Sequence, residues 1–266
     1  MTCLLQRILT LAALWMTASS VHAGTVMETL SRDLTSSAGK GVTTTTTYAQ
    51  DGRMRVEPSP GESVMIFKDD VIYNVNRKDK SYVVMDRASM KRMAEQISPA
   101  LKQMQEQLAK MPPEQRAQME KMMGHRMAGV AADKPQEIRK TGRTGKAGGH
   151  ACTYVEIHQG GAVTDELCVA SPSALKGSQE LMAAAKKMSL LMQEMFRNLD
   201  APWLRQMAEK QAANYEQIGG VPVLTRHFTD GKAAHETTLT AMRSEALPAT
   251  LFDVPAGFSK RDMTSR

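Results

Sequence analysis

Thioether sulfur is the group this chain carries in excess: 21 of its 266 residues are methionine, and nine of them fall between Met85 and Met127. Soft thioethers select Cu(I). Several sulfurs sit one helical turn apart, Met90 with Met93, Met119 with Met122 and Met123, and Met192 with Met195. His125 lies close by, so Met119, Met122, Met123 and His125 form a candidate copper(I) site. The same spacing also marks a buried helical face, which methionine fills well because it is flexible, apolar and a good helix former. Unbranched thioethers repack around varied apolar ligands too, so the stripe is equally a candidate wall for a hydrophobic pocket. Spacing alone leaves the three readings open.

Other chemistry is sparse. His150, His158, His227 and His235 sit on or beside strand-like runs without metal-ligand spacing, and the stretch from His235 to Leu239 lacks the second histidine of an H-E-x-x-H site. No G-x-S-x-G elbow, P-loop or G-x-G-x-x-G occurs in a strand–helix setting. The expectation is a non-enzymatic protein with no cofactor. Cys152 and Cys168 bracket two strand-like runs joined by Gln159-Gly160-Gly161. Folding that hairpin about Gly160 sets the cysteines opposite one another, within disulfide range. Their spacing is not that of a C-x-x-C redox pair.

The elements that must position these groups are strands first. Thr43–Tyr48, Arg53–Val56, Ser63–Phe67, Val71–Val75 and Tyr82–Met85 are short β-like runs. The turn formers Asp51-Gly52, Pro58-Ser59-Pro60-Gly61, Asp69-Asp70 and Asn76–Asp79 separate them. Such short links hold no crossover helix, so the runs form an antiparallel meander. The threonine run suits an edge or solvent-facing strand.

At Asp86 the apolar period changes to about 3.6, and Met90, Met93, Ile97, Leu101, Met104, Leu108 and Met111 line one helical face. Asp86 or Ser89 caps its start, and Pro99 suits a second helix after a bend at Ser98. Pro112-Pro113 stops this element and opens another, ending near Met127. A second helical region follows Ser171-Pro172 and carries Leu181, Ala184, Met188, Leu191, Met192, Met195 and Leu199 on one face, with Asp200-Ala201-Pro202 as a break. Glu137–Thr141 reads as a strand, Gly219–Thr229 and His235–Met242 as a hairpin about Asp230-Gly231, and Leu251–Phe258 as the end of the domain before a frayed tail.

Residues 1–23 read as a cleavable signal peptide. Arg7 precedes an apolar run from Ile8 to Met16, and Val21-His22-Ala23 supplies small residues for cleavage. The run is too short to span a bilayer, and Cys3 lies far from any lipid-anchoring position. The expected location is the periplasm of a Gram-negative envelope, without a transmembrane anchor, where the two remaining cysteines become bonded. Losing Arg7 takes the formal charge from +6 to +5. Scattered charges describe a solvated surface, and few aromatics with no basic stripe speak against nucleic acid. Residues 24–266 then form one α+β domain with helical insertions near 86–128 and 172–210.

Several stretches, Asp51–Val56, Lys80-Ser81-Tyr82, the hairpin from Gly149 to Ala170, Gly219–Val223 and Leu251–Phe258, resemble an exported bacterial family of unknown function. In organisation that family is similar to the lipoprotein-carrier half-barrels of the LolA and LolB type. The resemblance implies a curved antiparallel sheet wrapped around helices, with an apolar concavity that in carrier relatives accepts acyl chains, and it brings no catalytic residues. The expected function is a periplasmic carrier of a lipid or other hydrophobic small molecule. Its groove would be lined by Met90, Met93, Ile97, Leu101, Met104, Leu108, Met188, Met192 and Met195. The alternatives are copper(I) binding by the same methionines, or a structural role beside an envelope protein partner.

Overall fold

The computed structural model describes residues 23–35, 41–112, 114–115, 136–197 and 217–262. They form a single twelve-stranded sheet and two long helices. The first strands are β1 (Gly24–Asp33), β2 (Val42–Gln50), β3 (Arg53–Ser59), β4 (Ser63–Lys68), β5 (Val71–Asn76) and β6 (Ser81–Met85), and α1 (Arg87–Lys110) follows. After it come β7 (Gln136–Ala147), β8 (His150–Gln159), β9 (Ala162–Ala170), α2 (Ser178–Arg197), β10 (Val221–Thr229), β11 (Lys232–Glu245) and β12 (Ser259–Arg261). The order across the sheet is β12-β6-β5-β4-β3-β2-β1-β11-β10-β9-β8-β7. Two meanders therefore meet at β1 and β11, and every pairing is antiparallel except β12 with β6.

Turn chemistry sets this topology. Asp51-Gly52, Asp69-Asp70, Gly148-Gly149, Gly160-Gly161 and Asp230-Gly231 are two-residue links whose residues all have positive φ. That conformation matches the right-handed twist of the flanking strands, so each link closes a tight hairpin.

Alternation then sorts side chains onto two faces. Ala49, Met54, Val56, Met65, Phe67 and Ile72 meet α1 and α2 in one apolar cluster. Val26, Val64, Ile66 and Val75 point the other way, where the segment after β11 covers them. That segment lays down Leu247, a short 3-10 turn (Ala249–Phe252), Val254 and Phe258 before entering β12. It is tied down where Arg55 Nη1 donates to the Leu251 carbonyl at 2.7 Å and Lys68 Nζ meets Asp253 at 2.6 Å. A third cluster, around Leu175, Val223, Leu239 and the disulfide, fills the β8–β11 half.

The threonine run lies in the interior of the sheet, paired on both sides as β2, rather than at an edge. The cysteines are bonded, with Cα atoms 5.3 Å apart. They do not stand opposite, however: Cys168 pairs with Tyr154. The turn centres between Gly160 and Gly161, and a register shift at Ile157/His158 adds a further offset, so the bond joins diagonal neighbours. α1 runs unbroken from Arg87 to Lys110 with Pro99 inside it, where a bend and a second helix were expected. Of the two predicted helical insertions, residues 113, 116–128 and 198–210 lie outside the described residues. Part of the tail expected to fray is β12, with Ser259 N–H donating to the Lys80 carbonyl at 2.9 Å.

At the far end the sheet coils over itself. Gly148, in the turn between β7 and β8, has φ +54 and lies against the backbone carbonyl of Leu239 on β11, three strands away. A Cβ there would collide with that oxygen. Gly148→Ala is expected to lose about 1–3 kcal/mol, since a left-handed backbone and an overfilled contact are penalised together. Gly149→Ala, which meets nothing within 4 Å, carries the backbone penalty alone. Equal urea midpoints for the two variants would refute the contact.

Candidate functional site

The helix-covered face is the candidate site, and its first component is the start of α1. Asp86 Oδ1 accepts from the Ser89 N–H at 2.7 Å while Ser89 Oγ accepts from the Asp86 N–H at 2.9 Å, a reciprocal cap. The Ser89 N–H bond holds the Asp86 carboxyl below its ordinary pKa, with smaller help from the positive charges of Lys260 and Arg92. Fixed this way, the first turn drives Met90 into the cluster, where it is 2% exposed. Met93, one turn later, packs half-buried at the margin.

α2 is positioned from the other side. Ser178 Oγ donates to the Pro172 carbonyl at 2.6 Å, and Thr25 Oγ1 on β1 donates to the Gly177 carbonyl at 2.7 Å. The helix then presents Leu181, Ala184, Leu191 and Met195 to the sheet, with Met188 and Met192 half-buried beside them. Among the described residues, ten methionines thus converge on one seam. Met54, Met90 and Met195 are buried in it, and Met27, Met65, Met85, Met93, Met188, Met192 and Met242 are packed half-buried around them.

Polar ties across the seam are at the surface. Arg87 on α1 pairs with Glu194 on α2 at 2.6 Å, Lys187 on α2 with Asp70 in the β4–β5 turn at 3.6 Å, and Glu180 accepts from the Asp51 N–H at 3.1 Å. All three are exposed. Solvent screens such exposed pairs, so they add little to the hold. Apart from these ties and the Thr25–Gly177 bond, the described parts of the helices are held down by apolar packing, much of it from side chains with three rotatable bonds.

Of the nine residues expected to line a groove, Met90 and Met195 are core, while Met93, Met188 and Met192 occupy the margin. The side chains of Ile97, Leu101, Met104 and Leu108 lie outside the described residues, as do Met119, Met122, Met123 and His125. In Met90/Met93 and Met192/Met195 one member is buried and its partner half-buried. Reasoning from helical stripes missed the methionines contributed by strands, Met27, Met54, Met65, Met85 and Met242. Period-two alternation, as in Met54 with Val56 and Met65 with Phe67, was the available signal.

Two histidines, His158 on β8 and His227 on β10, are paired with carboxylates. His158 is buried and its Nε2 lies 3.0 Å from Glu156, and His227 Nδ1 lies 3.0 Å from Asp165. Among the described residues no three His, Cys, Asp or Glu side chains are grouped to hold a metal ion. No described helix is long and apolar enough to cross a membrane.

No family model matches the chain, and no curated protein matches it. Among solved structures it is similar to an uncharacterized conserved protein from Thermus thermophilus, at 9% identity and a TM-score of 0.44, over 90% of each chain. It is also similar to a protein named PNGF-II, at 9% identity and a TM-score of 0.32, over 91% of this chain and 31% of that one.

Proposed function

We propose that this protein is a periplasmic, non-enzymatic carrier whose half-barrel sheet and overlying helices take up a hydrophobic ligand such as a lipid acyl chain. The observation that carries this reading is the seam. Its sheet side and its helix side are both rich in conformationally soft thioethers, and beyond the Thr25–Gly177 bond at the start of α2 the described polar ties across it are exposed and weak. Such a junction opens at low cost and reseals around an apolar chain. Each buried methylene of the ligand contributes about 0.8 kcal/mol. Specificity comes from shape that adapts rather than from fixed hydrogen bonds, as in other methionine-rich binding surfaces.

Native mass spectrometry of protein gently purified from a bacterial periplasm tests the reading. A lipid-sized adduct is expected. Met93→Asp with Met192→Asp, both at the half-buried margin, should reduce its retention by about tenfold or more, a change of about 1.4 kcal/mol. The helical circular dichroism should stay intact. A bare mass, or retention unchanged in the double variant, overturns the carrier reading. A mass shift matching copper would replace it with the thioether site, and co-purification of an envelope protein on the bare chain with a structural partnership.

A further inference from the structure

A cleft of about 210 Å³ opens at the sheet edge, between the first turns of α1 and the strand pair β6–β12. Pockets that enclose a whole small molecule usually hold about 300–1,000 Å³, so this one has room for a headgroup rather than an entire lipid. Its walls are charged. Arg92 projects from α1, and Lys260 and Arg261 from β12, against one carboxylate among the described lining residues, Asp262. Arg261 already faces Asp79 at 3.9 Å. Arg92 and Lys260 are both exposed, and among the described residues neither has a carboxylate within 4 Å. Both lie near enough to Asp86 to help lower its pKa, which locates the two cations at one mouth.

The remaining lining tells what kind of anion suits it. Gln96 adds a neutral hydrogen-bonding group on the same helix, beside the capping Ser89, and Met93 forms an apolar wall. Met93 also packs against the main seam. One side chain therefore borders both the cationic cleft and the methionine cluster.

We infer that the cleft binds the phosphate group of an anionic amphiphile, with Arg92 and Lys260 as its charged ligands and Met93 marking where the chain turns into the seam. The inference rests on the carrier reading for the chain, but not for the phosphate. A phosphate offers several acceptor oxygens to two cations approaching from different elements, and charge-assisted bonds of this kind are about twice as strong as neutral ones. A zwitterionic headgroup brings its own cation into the same small space and loses most of that gain.

Isothermal titration of the purified full chain with three probes tests this: dihexanoyl phosphatidylglycerol, dihexanoyl phosphatidylcholine and inorganic phosphate. The glycerol lipid is expected to bind roughly ten- to a hundredfold more tightly than the choline lipid, with the gap shrinking as salt is raised. Arg92→Gln with Lys260→Gln should close most of the gap, weakening the glycerol lipid far more than the choline lipid. Arg92→Lys with Lys260→Arg should restore it. Equal affinity for the two lipids in the unaltered protein overturns the phosphate site while leaving the carrier reading standing. A gap that survives the double glutamine variant overturns the assignment to this cleft. Binding of inorganic phosphate that depends on Arg92 and Lys260, with neither lipid bound, upholds the phosphate site and removes the carrier reading.

Discussion

Phe252→Ala is expected to destabilise the protein by about 3–5 kcal/mol, the usual range for emptying a buried aromatic site. Phe252 is 1% exposed, packed in the cluster formed by Val26, Val64, Ile66 and Val75. The Arg53 guanidinium lies 5.0 Å from its ring centre. Its importance exceeds its own area because it anchors a segment that otherwise holds to the sheet by Leu247, a few polar bonds and partly buried side chains. Losing the anchor also loosens Leu251, whose carbonyl satisfies the buried Arg55. Urea unfolding followed by circular dichroism measures the loss, and Phe252→Leu should cost much less. A drop below about 1 kcal/mol for the alanine variant would mean that the segment is not held by this side chain.

Breaking the Cys152–Cys168 bond should lower stability by about 3 kcal/mol, the loop-closure contribution for a bridge of this span. The two residues are separated by 16 positions and are nearly inaccessible, so the bond resists mild reductant until the β8–β9 region opens. Cys152→Ala with Cys168→Ala isolates the covalent contribution without placing a hydroxyl in an apolar site. Coincident denaturation midpoints for the bonded and double-alanine proteins would refute it. The effect should appear mainly in the unfolded state, with the strand content of the folded protein unchanged.

The meander from β2 to β6 was legible in the sequence because each turn there is written in residues that adopt positive φ or favour turns, and the runs between them alternate. The disulfide was legible as a pair, but its diagonal placement was not. Register depends on where a bulge falls, and nothing in Ile157-His158 announces one. The pairing of β12 with β6 was invisible for a similar reason: Ser259-Lys260-Arg261 has no hydrophobic pattern, and its place is set by Phe252 and Phe258 upstream. Pro99 read as a helix break because its ring removes one hydrogen bond, yet α1 continues through it. The helical half of the methionine seam followed from period alone. The strand half did not, since Met27, Met65 and Met242 come together only once the sheet order is known.

The junction of β1 with β11 carries a consequence for how the chain acquires its shape. Gly24 pairs with Glu245, so the two meanders are joined by a contact between residues roughly 220 positions apart, a closure whose entropy is met late. The hairpins on either side are local and form early. Until β11 is present, β1 has a partner on one side only, and the middle of the future sheet is an open strand edge of the kind that pairs with other chains. Assembly is therefore timed by the arrival of the last quarter of the chain, and in the interval before it arrives aggregation competes directly with folding.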